Sequence, residues 1–436
     1  MQRPPTFCRN AAGLYPMSQS VNEELTQAAH CRFCGAAVQY TFLDLGMSPL
    51  ANSYLKPSQL NHVEPFYPLR VHVCARCFLV QLEEFASPDQ IFGHYAYFSS
   101  YSDSWLRHAK SYTDLVVGRF ALNQQSQVVE IASNDGYLLQ YFMALGIPVL
   151  GIEPASNVAN AAVQKGVPTI VTFFGEETAR ELVAKGVQAD LIVGNNVLAH
   201  VPRLNDFVKG LKILLKPRGV LTMEFPHLLR LLAESQFDTI YHEHFSYFSL
   251  FTVERVCAAH GLAIFDVEEL PTHGGSLRIY ACHNMDTSQA RGPRVPELRA
   301  REESAGLTCM ETYLAFAEKV KEVKRKLLEF LIAAKRTDKS IVGYGAPAKG
   351  NTLLNYCGIR SDFIDYTVDR SPHKQGLFLP GSHLPICHPD KVRATRPDYL
   401  LILPWNLKNE IMEEMAHIHE WGGQFVVPIP QVRVYS

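Results

Sequence analysis

Residues 237–250 read FDTIYHEHFSYFSL, which sets Tyr241, His242, Glu243 and His244 side by side among aromatic residues. An imidazole changes charge near neutral pH, and a neighbouring carboxylate can fix its tautomer, so the run has the makings of a proton-transfer site. The same residues would also suit hydrogen-bonded packing positions. A metal reading fits less well, because helical zinc sites place two histidines four residues apart and add a third ligand.

Metal chemistry points elsewhere. Cys31-Arg32-Phe33-Cys34 and Cys74-Ala75-Arg76-Cys77 are two CxxC pairs, the ligand set of a four-cysteine zinc site. Four thiolates leave no open coordination position, so this zinc should hold the fold and not catalyse. The alternative is four unligated thiols, since ten cysteines in 436 residues do not make a disulfide scaffold. Near the pairs run LDLGMSPLANSYL (43–55) and FGHYAYFSSYSDSW (92–105). The second is dense in Tyr, Phe and Ser, a composition that suits a polar pocket wall or a packed aromatic loop.

Elements able to position such a site follow from Gln127 onward. VVEIASNDGYLLQYF (128–142) is an apolar strand ending near Glu130, a turn through Asp135 and Gly136, and a helix carrying Leu138, Leu139 and Phe142. VLGIEPA (149–155) is a second strand ending in Glu153, the position from which a doubly wound sheet holds a ribose diol. The turn lacks GxGxxG, which disfavours a dinucleotide, and its acids suit a cationic ligand such as S-adenosylmethionine. ADLIVGNNVLAHV (189–201) adds a buried strand followed by Asn195, Asn196 and His200. LNDFVKGLKILLKPRGVLTMEFP (204–226) adds a helix, a turn and a further strand. THGGSLRIYACH (272–283) reads as a glycine turn and a strand, and the apolar spacing over 296–335 predicts one long amphipathic helix.

The last part of the chain repeats the strand, turn and helix pattern in SIVGYGAPAKGNTLLNY (340–356). Its backbone N-H groups, with Lys349 nearby, suit a diphosphate, although the lysine spacing is not that of a P-loop. A following strand ends in Asp369, and a polar loop carries His373 and Lys374.

Length implies about three domains, and a formal net charge of −2 without a basic cluster gives no reason to expect nucleic acid as a partner. No apolar run reaches the roughly 18 residues of a membrane span, so neither a membrane partner nor a location outside the cytoplasm is expected. Residues 1–29 lack periodicity and read as a mobile tail, with Met1 and Met17 both available as starts.

The CxxC pairs, VVEIASNDGYLL, GIEPA, NNVLAHV, YHEHFSYFS, THGGSLR and YGAPAKGNTLLNY, in that order, resemble the sugar C-methyltransferases that modify nucleotide-linked 4-keto deoxysugars. The resemblance covers nearly everything from Cys31 onward. It implies an α/β fold: a class I methyltransferase Rossmann-like core, an N-terminal four-cysteine zinc-binding domain and a C-terminal Rossmann-like domain without a dinucleotide. The expected divisions are a tail (1–29), the zinc-binding domain (30–90), the methyltransferase domain (91–290), a bridging helical region (291–336) and the sugar-nucleotide domain (337–436). By resemblance, Tyr95 and His200 join Tyr241, Glu243 and His244 around the sugar.

The reaction so implied needs a base at the carbon next to a ketone, donors to the enolate oxygen, and alignment with the methyl donor. His244 is assigned as base, Glu243 as the group that orients or tunes the site, and Tyr241 as a group that donates to, or helps to deprotonate, the reacting region. Glu130, Asp135, Gly136, Glu153 and Asn195 are assigned to S-adenosylmethionine, and Lys349, Asn351 and His373 to the nucleoside-diphosphate sugar. Methylation is expected at C3, with C5 as the other neighbour of the ketone. Zinc is expected on Cys31, Cys34, Cys74 and Cys77. Two rival readings are a zinc-containing NAD-dependent oxidoreductase on a sugar nucleotide and a non-catalytic zinc-ribbon binding module. Oligomeric state is left open.

Overall fold

The computed structural model describes residues 29–87 and 98–436. Strands β1 (Tyr40–Ser48), β2 (Tyr67–Val73) and β3 (Val80–Leu82) make an antiparallel meander beside the two CxxC turns. Each turn reverses through a left-handed residue just after its second cysteine, Gly35 (φ 70°) in one and Phe78 (φ 58°) in the other. The N-H of that residue bonds back to the carbonyl of Cys31 or Cys74. A glycine adopts this conformation freely, whereas Phe78 is held in it by packing against the ring of Tyr313.

The central sheet takes β4 (Val128–Ile131), β5 (Val149–Ile152), β6 (Thr169–Ile170), β7 (Ala189–Asn195) and β8 (Leu215–Pro226) in parallel. After β8 the chain contributes a two-residue strand, β9 (Ser246–Tyr247), to the edge of the N-terminal meander. It then returns as the antiparallel pair β10 (Leu262–Leu270) and β11 (Ser276–His283), giving the order β10-β11-β8-β7-β4-β5-β6. β4 is buried along its whole length, as expected of a parallel strand covered on both faces. The YHEH run therefore lies where the chain crosses from the central sheet to the N-terminal one.

The expected single helix over 296–335 is two helices, Arg294–Ser304 and Met310–Arg336. The chain breaks at Gly306, whose φ of 81° cannot continue a right-handed helix. The second helix buries Tyr313, Phe316, Val320, Val323, Leu327 and Leu331, and Phe316 stacks on Phe42 of β1 at 5.0 Å between ring centroids. It thus packs the N-terminal sheet onto the third one. That sheet comprises β12 (Ile341–Tyr344), β13 (Thr367–Val368), β14 (Ile386–Cys387), β15 (Tyr399–Ile402), β16 (Gln424–Val427) and β17 (Arg433–Tyr435). Its order is β14-β13-β12-β15-β16-β17, parallel except for β17. One apolar core runs from Phe42 and Val71 through Phe316 and Leu327 to Leu354 and Leu401.

Candidate active site

A cleft of about 550 Å³ is lined by the central sheet, by loop residues of the N-terminal unit, by the turn and loop residues of the C-terminal unit, and by the YHEH run. Tyr241, Glu243, His244 and His200 all line it. The rings of His200 and His244 meet edge to face at 4.7 Å, and Tyr241 lies 4.1 Å from His244. His244 Nδ1 donates to the carbonyl of Thr239 at 2.8 Å, a bond that fixes the tautomer and leaves Nε2 as a proton acceptor. Burial, with His200 adding to it, holds His244 well below the usual imidazole pKa, and burial brings His200 down to about 4. Both rings are neutral at physiological pH.

Asn52 Nδ2 donates to Glu243 Oε1 at 2.5 Å, and the Tyr54 hydroxyl donates to the Ala346 carbonyl at 2.6 Å. Both residues come from LDLGMSPLANSYL, so the N-terminal unit braces the YHEH run and the C-terminal turn together. Lys349 and Lys374 also line the cleft. Lys349 Nζ sits 4.5 Å from the centre of the Trp405 ring and donates to Asn406 Oδ1 at 2.7 Å.

On the central sheet, Glu153 Oε2 accepts from the Asn134 N-H and Oε1 from the Ala155 N-H, each at 2.9 Å. The turn before it is poor in glycine but not ordinary in shape. Ala132 (φ 57°), Asn134 (φ 49°) and Gly136 (φ 76°) alternate in the left-handed region, so the backbone follows the path of a glycine-rich loop with one glycine. Glu153, Asn195 and the backbone of this turn border the cleft. A buried carboxylate with lone pairs to spare at the end of β5 fits the ribose diol of S-adenosylmethionine.

The cysteine cluster fits zinc in the same sense. The four Sγ atoms lie within 4.8 Å of one another, with Cys31 to Cys77 at 3.5 Å and Cys34 to Cys74 at 3.6 Å. Tetrahedral Zn-S bonds of about 2.3 Å place sulfurs about 3.8 Å apart.

The sequence matches the family models described as zinc binding domain (residues 31–92), methyltransferase domain (105–267) and C-methyltransferase C-terminal domain (271–430). The C-methyltransferase NovU of Streptomyces niveus is 38% identical over 406 residues, which span 93% of this chain and 96% of that one. The chain is a C-methyltransferase. It takes its methyl group from S-adenosylmethionine, carries zinc, and has the expected class I α/β architecture. Membership sets aside the oxidoreductase and binding-module readings. Among solved structures, the PH0226 protein of Pyrococcus horikoshii OT3 is 17% identical with a TM-score of 0.36, over 46% of this chain and 99% of that chain. An S-adenosylmethionine-dependent methyltransferase of Clostridium acetobutylicum ATCC 824 is 10% identical with a TM-score of 0.34, over 41% and 92%. No helix among the described residues is long and apolar enough to cross a membrane.

Not every residue picked from the sequence reaches the C-methyltransferase cleft. Glu130 is fully buried within β4 beneath the turn, and burial, opposed by a hydrogen bond from Tyr137 and reinforced by the nearby charges of Glu153 and Asp135, raises its pKa well above the usual carboxylate value. Asp135 does not line the cleft, and its Oδ2 accepts from Lys165 Nζ at 3.0 Å and from the Ser100 hydroxyl. Gly136 serves the turn, since a Cβ there would meet Val167 at 2.8 Å. Asn351 is buried and donates to the Ala51 carbonyl at 2.5 Å, a tie between units. His373 is exposed and pairs with Tyr101 and Phe98. Tyr95 lies outside the described residues. Conversely, Asn52, Tyr54, Trp105, His273 and Lys374 line the cleft without having been singled out as site residues. Asn52, Tyr54, Trp105 and His273 fall in motifs already quoted, and the missing signal was which residues of those motifs the fold turns inward.

Proposed function

We propose that this C-methyltransferase acts on a nucleoside-diphosphate-linked 4-keto deoxysugar at the carbon next to the ketone, C3, and that its zinc is held by Cys31, Cys34, Cys74 and Cys77. The observation that carries the reading is one cleft lined by a carboxylate suited to a ribose, two lysines suited to a diphosphate, and a neutral imidazole with one nitrogen tied down.

His244 Nε2 takes the proton from the carbon beside the ketone. The C-H electron pair becomes the C=C bond of an enolate, and the carbonyl pair moves to oxygen. Tyr241 and His200 stand beside His244 to meet that oxygen, and Glu243, held by Asn52, steadies the sugar. Burial lowers the basicity of His244, but the low dielectric strengthens its pairing, once protonated, with the enolate. Glu153 and Asn195 hold the methyl donor, while Lys349 and Lys374 hold the diphosphate. When bound, S-adenosylmethionine supplies an electrophilic methyl whose S-C electron pair leaves with sulfur as the enolate carbon forms the new C-C bond.

Mass spectrometry of the protein incubated in deuterated water with dTDP-, GDP- and CDP-linked 4-keto deoxysugars tests the reading. A product heavier by one methyl, with S-adenosylhomocysteine formed, supports it, and fragment masses distinguish C3 from C5. Deuterium uptake without added methyl donor should be abolished in His244→Gln; a variant that exchanges normally removes His244 as the base.

A further inference from the structure

A third histidine shares the cleft with His200 and His244, and no step above uses it. His273 sits in the turn Thr272–Gly274 that joins β10 to β11, with φ 56° and ψ 17°. A left-handed backbone at a residue other than glycine costs about 1–2 kcal/mol, so the surroundings must impose it. They do. A Cβ at Gly274 would lie 2.4 Å from the Trp405 ring and one at Gly275 2.7 Å from Arg230, so the turn is wedged on both sides. Gln236 Nε2 donates to the Gly274 carbonyl at 2.7 Å, and Thr272 Oγ1 donates to Glu224 Oε1 at 2.8 Å. Glu224 is itself buried and held by Arg278 at 2.7 Å and His108 at 2.9 Å.

This scaffold presents an imidazole that lacks part of its hydrogen bonding. The ring lines the cleft, edge to face with Trp105 at 5.1 Å, and its buried Nδ1 has no hydrogen-bond partner among the described residues. Such an orphan costs about 1–3 kcal/mol unless something else fills the bond. Burial lowers the pKa of His273 to about 4, with nearby Lys349 adding to the effect, so the ring is neutral and one nitrogen carries hydrogen. It also stands near enough to His200 and His244 to lower the proton affinity of both.

We propose that His273 is a further catalytic residue: it donates a hydrogen bond to the ketone oxygen of the substrate and holds the negative charge that gathers there as His244 removes the proton. The strained turn and the orphaned nitrogen are then one device, a donor fixed in place before the charge appears. The inference rests on the enolate reading above.

The test uses His273→Ala, which removes the donor, and His273→Asn, which accepts a left-handed backbone and returns an amide N-H near the place of Nδ1. Deuterium exchange and methyl transfer are both measured on the ketosugar that wild-type protein accepts. Zinc content, thermal unfolding and S-adenosylmethionine affinity serve as controls on folding. In His273→Ala, exchange and kcat should both fall about 100- to 1,000-fold with little change in KM, as for loss of an oxyanion donor. His273→Asn should recover a clear share of both rates. Wild-type exchange in His273→Ala overturns the proposal, and so does a variant whose loss lies wholly in KM. Equal loss of exchange in both variants, with folding intact, overturns it as well, by marking the ring as a proton acceptor. If wild-type protein itself neither exchanges nor methylates any ketosugar, the substrate reading fails and this one falls with it.

Discussion

The chain builds the same strand, turn and helix device twice, once in the central sheet and once in the C-terminal one. In the first, β4 leads into the turn at 132–136, and Glu153 at the end of the neighbouring β5 accepts from the Asn134 and Ala155 N-H groups. In the second, β12 leads into the turn at 345–347, and Asp369 at the end of the neighbouring β13 accepts from the Ala346 and Ser371 N-H groups at 2.7 and 2.8 Å. Each acid fastens the turn ahead of it and the chain behind it. The difference lies in what comes next. Glu153 borders the open cleft, whereas Asp369 has Lys374 Nζ at 3.7 Å, and that ammonium also donates to the Ala346 carbonyl at 2.9 Å. The fastening is a structural need of a parallel sheet that reverses direction at a turn. Under the proposed function, holding the methyl donor is an addition to it at Glu153, and Lys374, paired with Asp369, makes the second copy a cationic wall instead of a diol site.

Removing each acid separates these roles. Glu153→Ala should weaken S-adenosylmethionine binding by about 100-fold in calorimetry, the loss of two charge-assisted hydrogen bonds. Asp369→Ala should leave donor affinity unchanged and cost about 1–3 kcal/mol of stability in denaturant unfolding, from two amides left without an acceptor. Equal loss of donor affinity in both variants would break the comparison. The wall itself is probed next. Lys349→Met should raise KM for the nucleotide sugar about tenfold without touching donor affinity, and Lys374→Met should do so by less, since Lys374 already spends its charge on Asp369.

Both acids were visible in the sequence, because VLGIEPA and FIDYTVDR each run from apolar residues to a carboxylate. That the second is closed was not visible: Lys374 lies five residues beyond Asp369 in a polar loop, and its return depends on tertiary packing. The left-handed path of Ala132 and Asn134 was hidden for a related reason. A motif search looks for glycine, whereas Glu153 supplies an acceptor to the Asn134 N-H and so helps hold the strained path. The cysteine cluster was legible because its ligands come in pairs with a fixed local spacing. His273 was not, because an imidazole in a turn has no distinguishing neighbours until the fold places Trp105 and Lys349 beside it. The helix over 296–335 shows the limit of periodicity, which carried on through Gly306 where the backbone could not.

The smallest expected effect decides whether Lys349 is as free as the comparison requires. Asp238, just ahead of the YHEH run, accepts from Trp405 Nε1 at 2.7 Å and lies close enough to Lys349 to raise its proton affinity. Burial raises Asp238 from 3.8 to about 6. The folded state therefore binds this proton more tightly than the unfolded chain, and Asp238 subtracts stability as pH rises from 3.8 through about 6, with the whole penalty present above that. Asp238→Asn keeps an acceptor for Trp405 and loses the titration. Its melting temperature should match wild type below the ordinary carboxylate range and pull ahead as pH climbs through the window. Ionised Asp238 also gives Lys349 an internal counter-charge, so wild-type KM for the nucleotide sugar should rise over the same interval while that of Asp238→Asn stays flat. Parallel melting curves and parallel KM profiles would mean that Asp238 pairs with Lys349 at every pH, as Asp369 does with Lys374. Both lysines of the second turn would then be spent internally, and the cationic wall would have to be sought elsewhere in the cleft.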